Sequence, residues 1–107
     1  MTFPDEKFDD IGSFTDAYFE KITAAAASVD RAKLTQAADI LENTYSKNNT
    51  LFVCGNGGSA AISGTFVCDH SKLVQTDTNL NAKVVSLADN MSMVTAIAND
   101  LSYDDIF

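Results

Sequence analysis

Phe8, Ile11, Phe14, Tyr18, Ile22, Ala25 and Val29 recur at steps of three and four residues, the apolar stripe of an amphipathic helix. Asp9, Asp16 and Glu20 fall on the opposite, polar face. Asp30 is placed to cap a second helix whose inward positions are Leu34, Ala37, Ala38, Leu41 and Tyr45, and the polar run Ser46 to Asn49 ends it. The period then changes. Thr50 to Cys54 is a short apolar run of strand type, followed by a glycine-rich turn and a helix over roughly Ser59 to His70. Val74 to Ala82 is polar and turn-like, and Lys83 to Ala88 predicts a second strand. Asp89 or Asn90 caps a last helix carrying Met91, Val94, Thr95, Ile97 and Ala98, and Asn99 to Phe107 leaves it.

Two helices followed by strand, helix, strand, helix predict an α/β fold with right-handed crossovers and a parallel sheet. Ligands of such sheets bind at the carboxyl ends of the strands. Two parallel strands make a poor sheet alone, because parallel pairs need neighbours and cover on both faces. The chain is therefore expected to be the front part of a larger α/β domain.

The glycine turn sits where that rule places a ligand. Residues 54 to 59 read Cys-Gly-Asn-Gly-Gly-Ser. Gly55, Gly57 and Gly58 lack a Cβ, so the chain can turn sharply and present N–H groups to an anion. Ser59 is expected at the helix start, adding a hydroxyl and the positive end of the helix dipole. A strand-to-helix turn without a ligand is the plainer alternative, but three glycines in four residues exceed what a turn requires.

Composition narrows the partners. A chain of 107 residues, 46% hydrophobic and 21% charged, fits one small globular domain. The net charge of −8 is spread along it, and the seven basic residues form no patch, which argues against nucleic acid. No apolar run approaches a membrane span, and the first ten residues are acidic rather than leader-like, so a cytoplasmic location is expected. Cys54 and Cys68 show no C-x-x-C spacing and read as packing residues. His70 is the single histidine, which excludes a site of several imidazoles from this chain.

Phe52-Val53-Cys54-Gly55-Asn56-Gly57-Gly58-Ser59-Ala60-Ala61 resembles the first signature of the sugar isomerase (SIS) domain, and within it the phosphoheptose isomerases. Val84-Val85-Ser86-Leu87, then Thr95-Ala96-Ile97-Ala98-Asn99-Asp100 and Tyr103 to Phe107, are similar to that family's second strand and helix. The resemblance implies N-terminal helices followed by the first strands of a parallel, flavodoxin-like sheet with helices on its faces. Residues 1–48 would be a helical extension used in oligomerisation, and 49–107 a partial SIS domain. It implies isomerisation of sedoheptulose 7-phosphate through an enediol, in a homo-oligomer. It also implies that a serine- and threonine-rich phosphate loop would lie beyond Phe107, leaving this chain alone incomplete for turnover.

Such an isomerase needs a base beside the carbonyl. Thr65 and Asp69 lie one helical turn apart downstream of the glycines. By resemblance, Asp69 stands at the position of the glutamate base. Thr65 stands where many members carry a metal-binding histidine. Aspartate is one methylene shorter, and threonine cannot replace an imidazole on zinc, so zinc belongs to the family picture but no metal ligand is assigned here. The plainer alternatives are a solvated helix carboxylate for Asp69, a back-bonded or packing residue for Thr65 and a helix-end residue for His70. Asn56 and Ser59 lie within the cradle. Asp89 and Asn90 follow the second strand toward the same crevice, with capping as their alternative role. Asp100 and Asp104 read as surface residues.

Two rival readings remain. Gly55-x-Gly57-x-x-Ala60 formally fits a dinucleotide fingerprint, but the acidic Asp89 lies 34 residues after Gly55 rather than about 20. A non-catalytic SIS module that binds phosphosugars or a protein partner is compatible with the changed positions 65 and 69.

Overall fold

The computed structural model describes residues 3–107; Met1 and Thr2 lie outside the described residues. The chain divides into two units, Met1–Ala37 and Ala38–Phe107.

In the first unit, α1 spans Ile11–Ser28. Asp10 caps it: Oδ1 accepts from the Ser13 amide at 3.0 Å, and the Ser13 hydroxyl donates to the Asp10 carbonyl at 3.0 Å. Amide donation from Ser13, then from Gly12, holds the Asp10 carboxyl below the usual carboxylate range. Phe8 therefore precedes the helix instead of opening it. It folds back with Phe3, whose ring centroid lies 5.9 Å from Phe8, 5.3 Å from Phe14 and 5.6 Å from Tyr18. The expected aromatic stripe is thus half covered by its own N-terminal segment. Asp30 caps α2, Arg31–Ser46, as its sequence position predicts, accepting from Ala32 at 2.8 Å and Lys33 at 3.3 Å.

In the second unit, the inward positions expected along α2 are realised only toward its end. Tyr45 is buried to 3% exposure and Leu41 is half-buried, whereas Ala38 is exposed. Asn48 then takes φ +58 and stops the helix, its amide on the Tyr45 carbonyl at 2.9 Å. Strands β1, Thr50–Val53, and β2, Lys83–Ser86, pair in parallel with Leu51 opposite Val84 and Val53 opposite Ser86. Both are shorter than predicted, because the chain must turn away from the sheet at Cys54 and at Leu87. The two loops leave the same carboxyl edge, tied by the Leu87 amide to the Val53 carbonyl at 2.9 Å.

One sheet face packs inward. Tyr45, Ala82 and Val84 form the buried cluster, with Leu41, Leu51, Val53, Phe66, Val67, Val74 and Leu80 around it. The alternate positions Phe52 and Val85 point away and are 61% and 44% exposed. Cys54 continues the outward alternation, so it is exposed rather than buried, and Cys68 is exposed on its helix; neither is the packing residue expected.

The helix after the glycines runs further than its polar composition suggests. Helix α3 spans Gly58–Cys68, a π turn follows over Asp69–Val74, and a short α4 covers Gln75–Asp77. Val74 keeps the chain helical here by packing into the core, and Gln75 is satisfied by donating from Nε2 to the Ala82 carbonyl at 3.0 Å. Helix α5, Met91–Asp100, completes the helical set, followed by a 3₁₀ turn at Tyr103–Asp105. Among the described residues no helix is long and apolar enough to cross a membrane.

Candidate site at the carboxyl edge of the sheet

The turn from β1 to α3 is built by two glycines with different constraints. Gly57 adopts φ +56 and ψ −121, a region that residues with a Cβ avoid. Gly55 is pressed against the start of α3, and a Cβ there would meet the carbonyl carbon and oxygen of Ser59 at 2.6 Å. Gly58 has open space around its Cα.

Helix α3 starts at Gly58 with Gly57 as its N-cap and no side-chain cap. Ser59 therefore lies inside the first turn and does not cap. Its amide bonds the Asn56 carbonyl at 3.0 Å, and Ala60 bonds the Gly57 carbonyl at 3.1 Å. Among the described residues, the amides of Asn56, Gly57 and Gly58 have no acceptor within the chain. Three free N–H groups at a helix N-terminus favour an anion. The side chains of Asn56 and Ser59 are exposed beside them.

Below this edge lies a cavity of about 290 Å³, lined by Val53, Cys54, Ser59, Ile62, Ser63 and Phe66. Ser63 is buried to 6% exposure and donates to the Ser59 carbonyl at 2.9 Å. Sequence reading missed Ser63 and Cys54 as lining residues. The four-residue step from Ser59 to Ser63, and the outward phase of Cys54, carried that information.

The residues after β2 share the same edge. Asn90 caps α5, accepting from the Met93 amide at 3.0 Å, so its oxygen is engaged as the capping alternative predicts. Asp89 is exposed. Asp69, at the start of the π turn, is exposed as well. Thr65 donates to the Ala61 carbonyl at 3.1 Å, the back-bonded role. Asp100 and Asp104 are exposed.

His70 departs from expectation. It sits in mid-helix, not at a helix end. Its ring stacks on Phe66 with centroids 3.8 Å apart and planes 11° apart, and Nδ1 lies 2.7 Å from the Tyr45 hydroxyl. Burial pushes the Tyr45 phenol above its usual pKa. Among the described residues no group of three or more His, Cys, Asp or Glu could hold a metal ion, and Thr65 and His70 are committed to other partners. The donor set of the described residues does not fit a zinc site.

The SIS domain family model matches residues 17–107. The chain belongs to the SIS domain family. This SIS chain is 37% identical over 90 residues to a probable phosphoheptose isomerase of Thermoplasma acidophilum, covering 84% of the chain and 49% of that relative. It is 34% identical over 95 residues to a phosphoheptose isomerase of Shewanella baltica, covering 89% of the chain and 47% of the relative. Among solved structures, phosphoheptose isomerase from Neisseria gonorrhoeae matches with a TM-score of 0.75 and 26% identity, over 92% of this chain and 51% of that one. The SIS chain thus spans about half the length of the curated relatives it matches. Its N-terminal helices and small parallel sheet are those of the front part of an SIS fold.

Proposed function

We propose that this chain binds the phosphate of a sugar phosphate at Gly55, Asn56, Gly57, Gly58 and Ser59, and serves a phosphosugar isomerase of the sedoheptulose 7-phosphate type. The observation that carries the reading is the set of free amides of Asn56, Gly57 and Gly58 at the α3 N-terminus, held open by the Gly57 conformation. The relatives named as phosphoheptose isomerases supply the reaction class. Asp89 and Asn90, leaving the same edge, would border the sugar.

In this reading Asp69 is the base. Its carboxylate takes the proton from C1 of the ketose while O2 gains a proton, giving an enediol; return of a proton to C2 while O1 loses its own moves the carbonyl to C1. Ten residues separate Ser59 from Asp69, which at 1.5 Å per residue is about 15 Å along the helix. An extended seven-carbon sugar phosphate holds C1 roughly 10 Å from phosphorus, at about 1.25 Å advance per bond. The Asp69 side chain leans back toward the helix start, which shortens the gap. The spacing supports a long-chain sugar phosphate over a triose phosphate. Residues 1–48 would serve assembly into a homo-oligomer, and 49–107 would carry the SIS portion.

A second reading is a non-catalytic module binding phosphosugars or a protein partner. It is favoured by Asp69, which is exposed and whose carboxylate has no hydrogen-bond partner among the described residues to orient it. Calorimetry and a C1 solvent-exchange assay on a full-length form separate the two. Binding of sedoheptulose 7-phosphate with exchange that Asp69→Asn reduces at least about 100-fold supports the isomerase. Binding without exchange supports the module, and no preference over unphosphorylated sedoheptulose overturns both.

A further inference from the structure

The π turn Asp69–Val74 begins at the proposed base and is tied to other parts of the second unit at its start, by Tyr45, and just past its end, by Gln75 on a backbone carbonyl. At its start, Tyr45 from α2 meets His70 Nδ1 at 2.7 Å, across 25 residues of sequence. His70 also stacks on Phe66, one turn earlier, with its ring plane within 11° of the phenyl plane. At its far end, Gln75 donates to the carbonyl of Ala82, the residue that precedes β2, at 3.0 Å. Single π turns inside α-helices are uncommon and recur at functional sites, because the wider turn re-aims the side chains around it.

We infer that Tyr45 and His70 are positioning residues for Asp69: together they set the rotation of the helix at the point from which the Asp69 carboxylate projects. This deepens the isomerase reading and rests on it.

Neighbouring helical residues point about 100° apart, so fixing the His70 ring fixes the direction of Asp69. The ring is fixed by two contacts of different kinds, a stack on Phe66 of α3 and a hydrogen bond to a residue buried in the core. The Asp69 amide donates to the Phe66 and Thr65 carbonyls, but its carboxylate has no hydrogen-bond partner among the described residues, so its neighbour supplies the constraint on the side chain. A carboxylate one methylene shorter than glutamate has less freedom to correct a misdirected backbone. A displacement of 1 Å can cost about 100-fold in a proton-transfer step.

The test uses a full-length form carrying these residues and reads sedoheptulose 7-phosphate binding by calorimetry beside C1 proton exchange with deuterated solvent. Tyr45→Phe keeps the buried ring and removes only the hydroxyl. It is expected to lower exchange about 10-fold while the dissociation constant stays within twofold. His70→Phe, which keeps the stack and loses the hydrogen-bonding nitrogen, should behave alike, and His70→Asn, which restores a polar partner for the Tyr45 hydroxyl, should recover part of the rate. Exchange in Tyr45→Phe equal to the parent, with Asp69→Asn inactive, overturns the positioning role and leaves the isomerase reading intact. Equal losses of binding and exchange also overturn it, by showing a merely structural part. A parent that binds the sugar but exchanges no proton removes the base assignment, and the positioning role with it.

Discussion

The Cα of Gly55 stands so close to Ser59 that a Cβ would meet that residue's carbonyl carbon and oxygen at 2.6 Å. These are backbone atoms inside the first turn of α3, so they cannot swing aside as a side-chain tip would. Gly55→Ala is expected to destabilise the chain by about 1–3 kcal/mol and to open the turn. Gly57→Ala meets no atoms but must hold φ +56, which costs about 1–3 kcal/mol of backbone strain. Gly58→Ala has open space inside a helix and should gain about 0.4–1 kcal/mol. Urea unfolding of the three variants checks the order. A Gly55→Ala variant as stable as Gly58→Ala contradicts this account of the turn.

Acid should loosen α1 before the rest of the chain. The Asp10 carboxyl is held below its usual value of 3.8 by the Ser13 and Gly12 amides. A depressed folded pKa gives stability that is present above the unfolded value and lost as pH falls through the folded one. Helix signal from Ile11–Ser28 should therefore hold down to the ordinary aspartate range and fall below it. Asp10→Ala should fray α1 at neutral pH and remove that dependence, as read by amide exchange at Gly12 and Ser13.

Alkali should act through Tyr45, whose phenol is raised above 10.0 by burial. A raised folded pKa gives stability that is full below the unfolded value and lost as pH rises through the folded one. Unfolding experiments above pH 10 should show stability dropping in the parent and dropping less steeply in Tyr45→Phe. Parallel curves for the two would contradict the burial seen here.

The N-terminal helix should associate, although through different residues from the full aromatic stripe. Phe8 and Phe14 are half-buried around Phe3, whereas Ile11, Tyr18 and Ile22, spaced along one side of α1, are 78%, 45% and 45% exposed. A second copy covering that line buries it on both partners. Ile11→Asp combined with Ile22→Asp should shift light scattering toward the monomer, while Phe8→Leu should not. A parent that is monomeric at micromolar concentration contradicts the assembly.

The Asp30 cap, a cap at Asp89 or Asn90 and the sharp glycine turn were legible in the sequence, because each depends on neighbours within about four residues. The parallel pair, whose residues lie 33 apart, followed instead from the alternation of strand and helix. What escaped was long-range. The helical run past His70 is maintained by Val74 in the core and by Gln75 on Ala82, contacts that local polarity does not reveal. The Tyr45–His70 bond joins residues 25 apart, and no periodicity points to it. Cys54 was misread because burial was assigned to the whole strand; alternation puts it on the outer face with Phe52. Ser59 was placed at the cap because serine suits one, but the Gly57 conformation starts the helix earlier.

The most direct measurement is an amide-resolved NMR titration of the chain with sedoheptulose 7-phosphate. The amides of Asn56, Gly57 and Gly58 should shift first and furthest, unphosphorylated sedoheptulose should leave them still, and Gly57→Val should abolish the response. Shifts confined to other residues, or an undiminished response in Gly57→Val, would contradict the claim that this turn is the phosphate site.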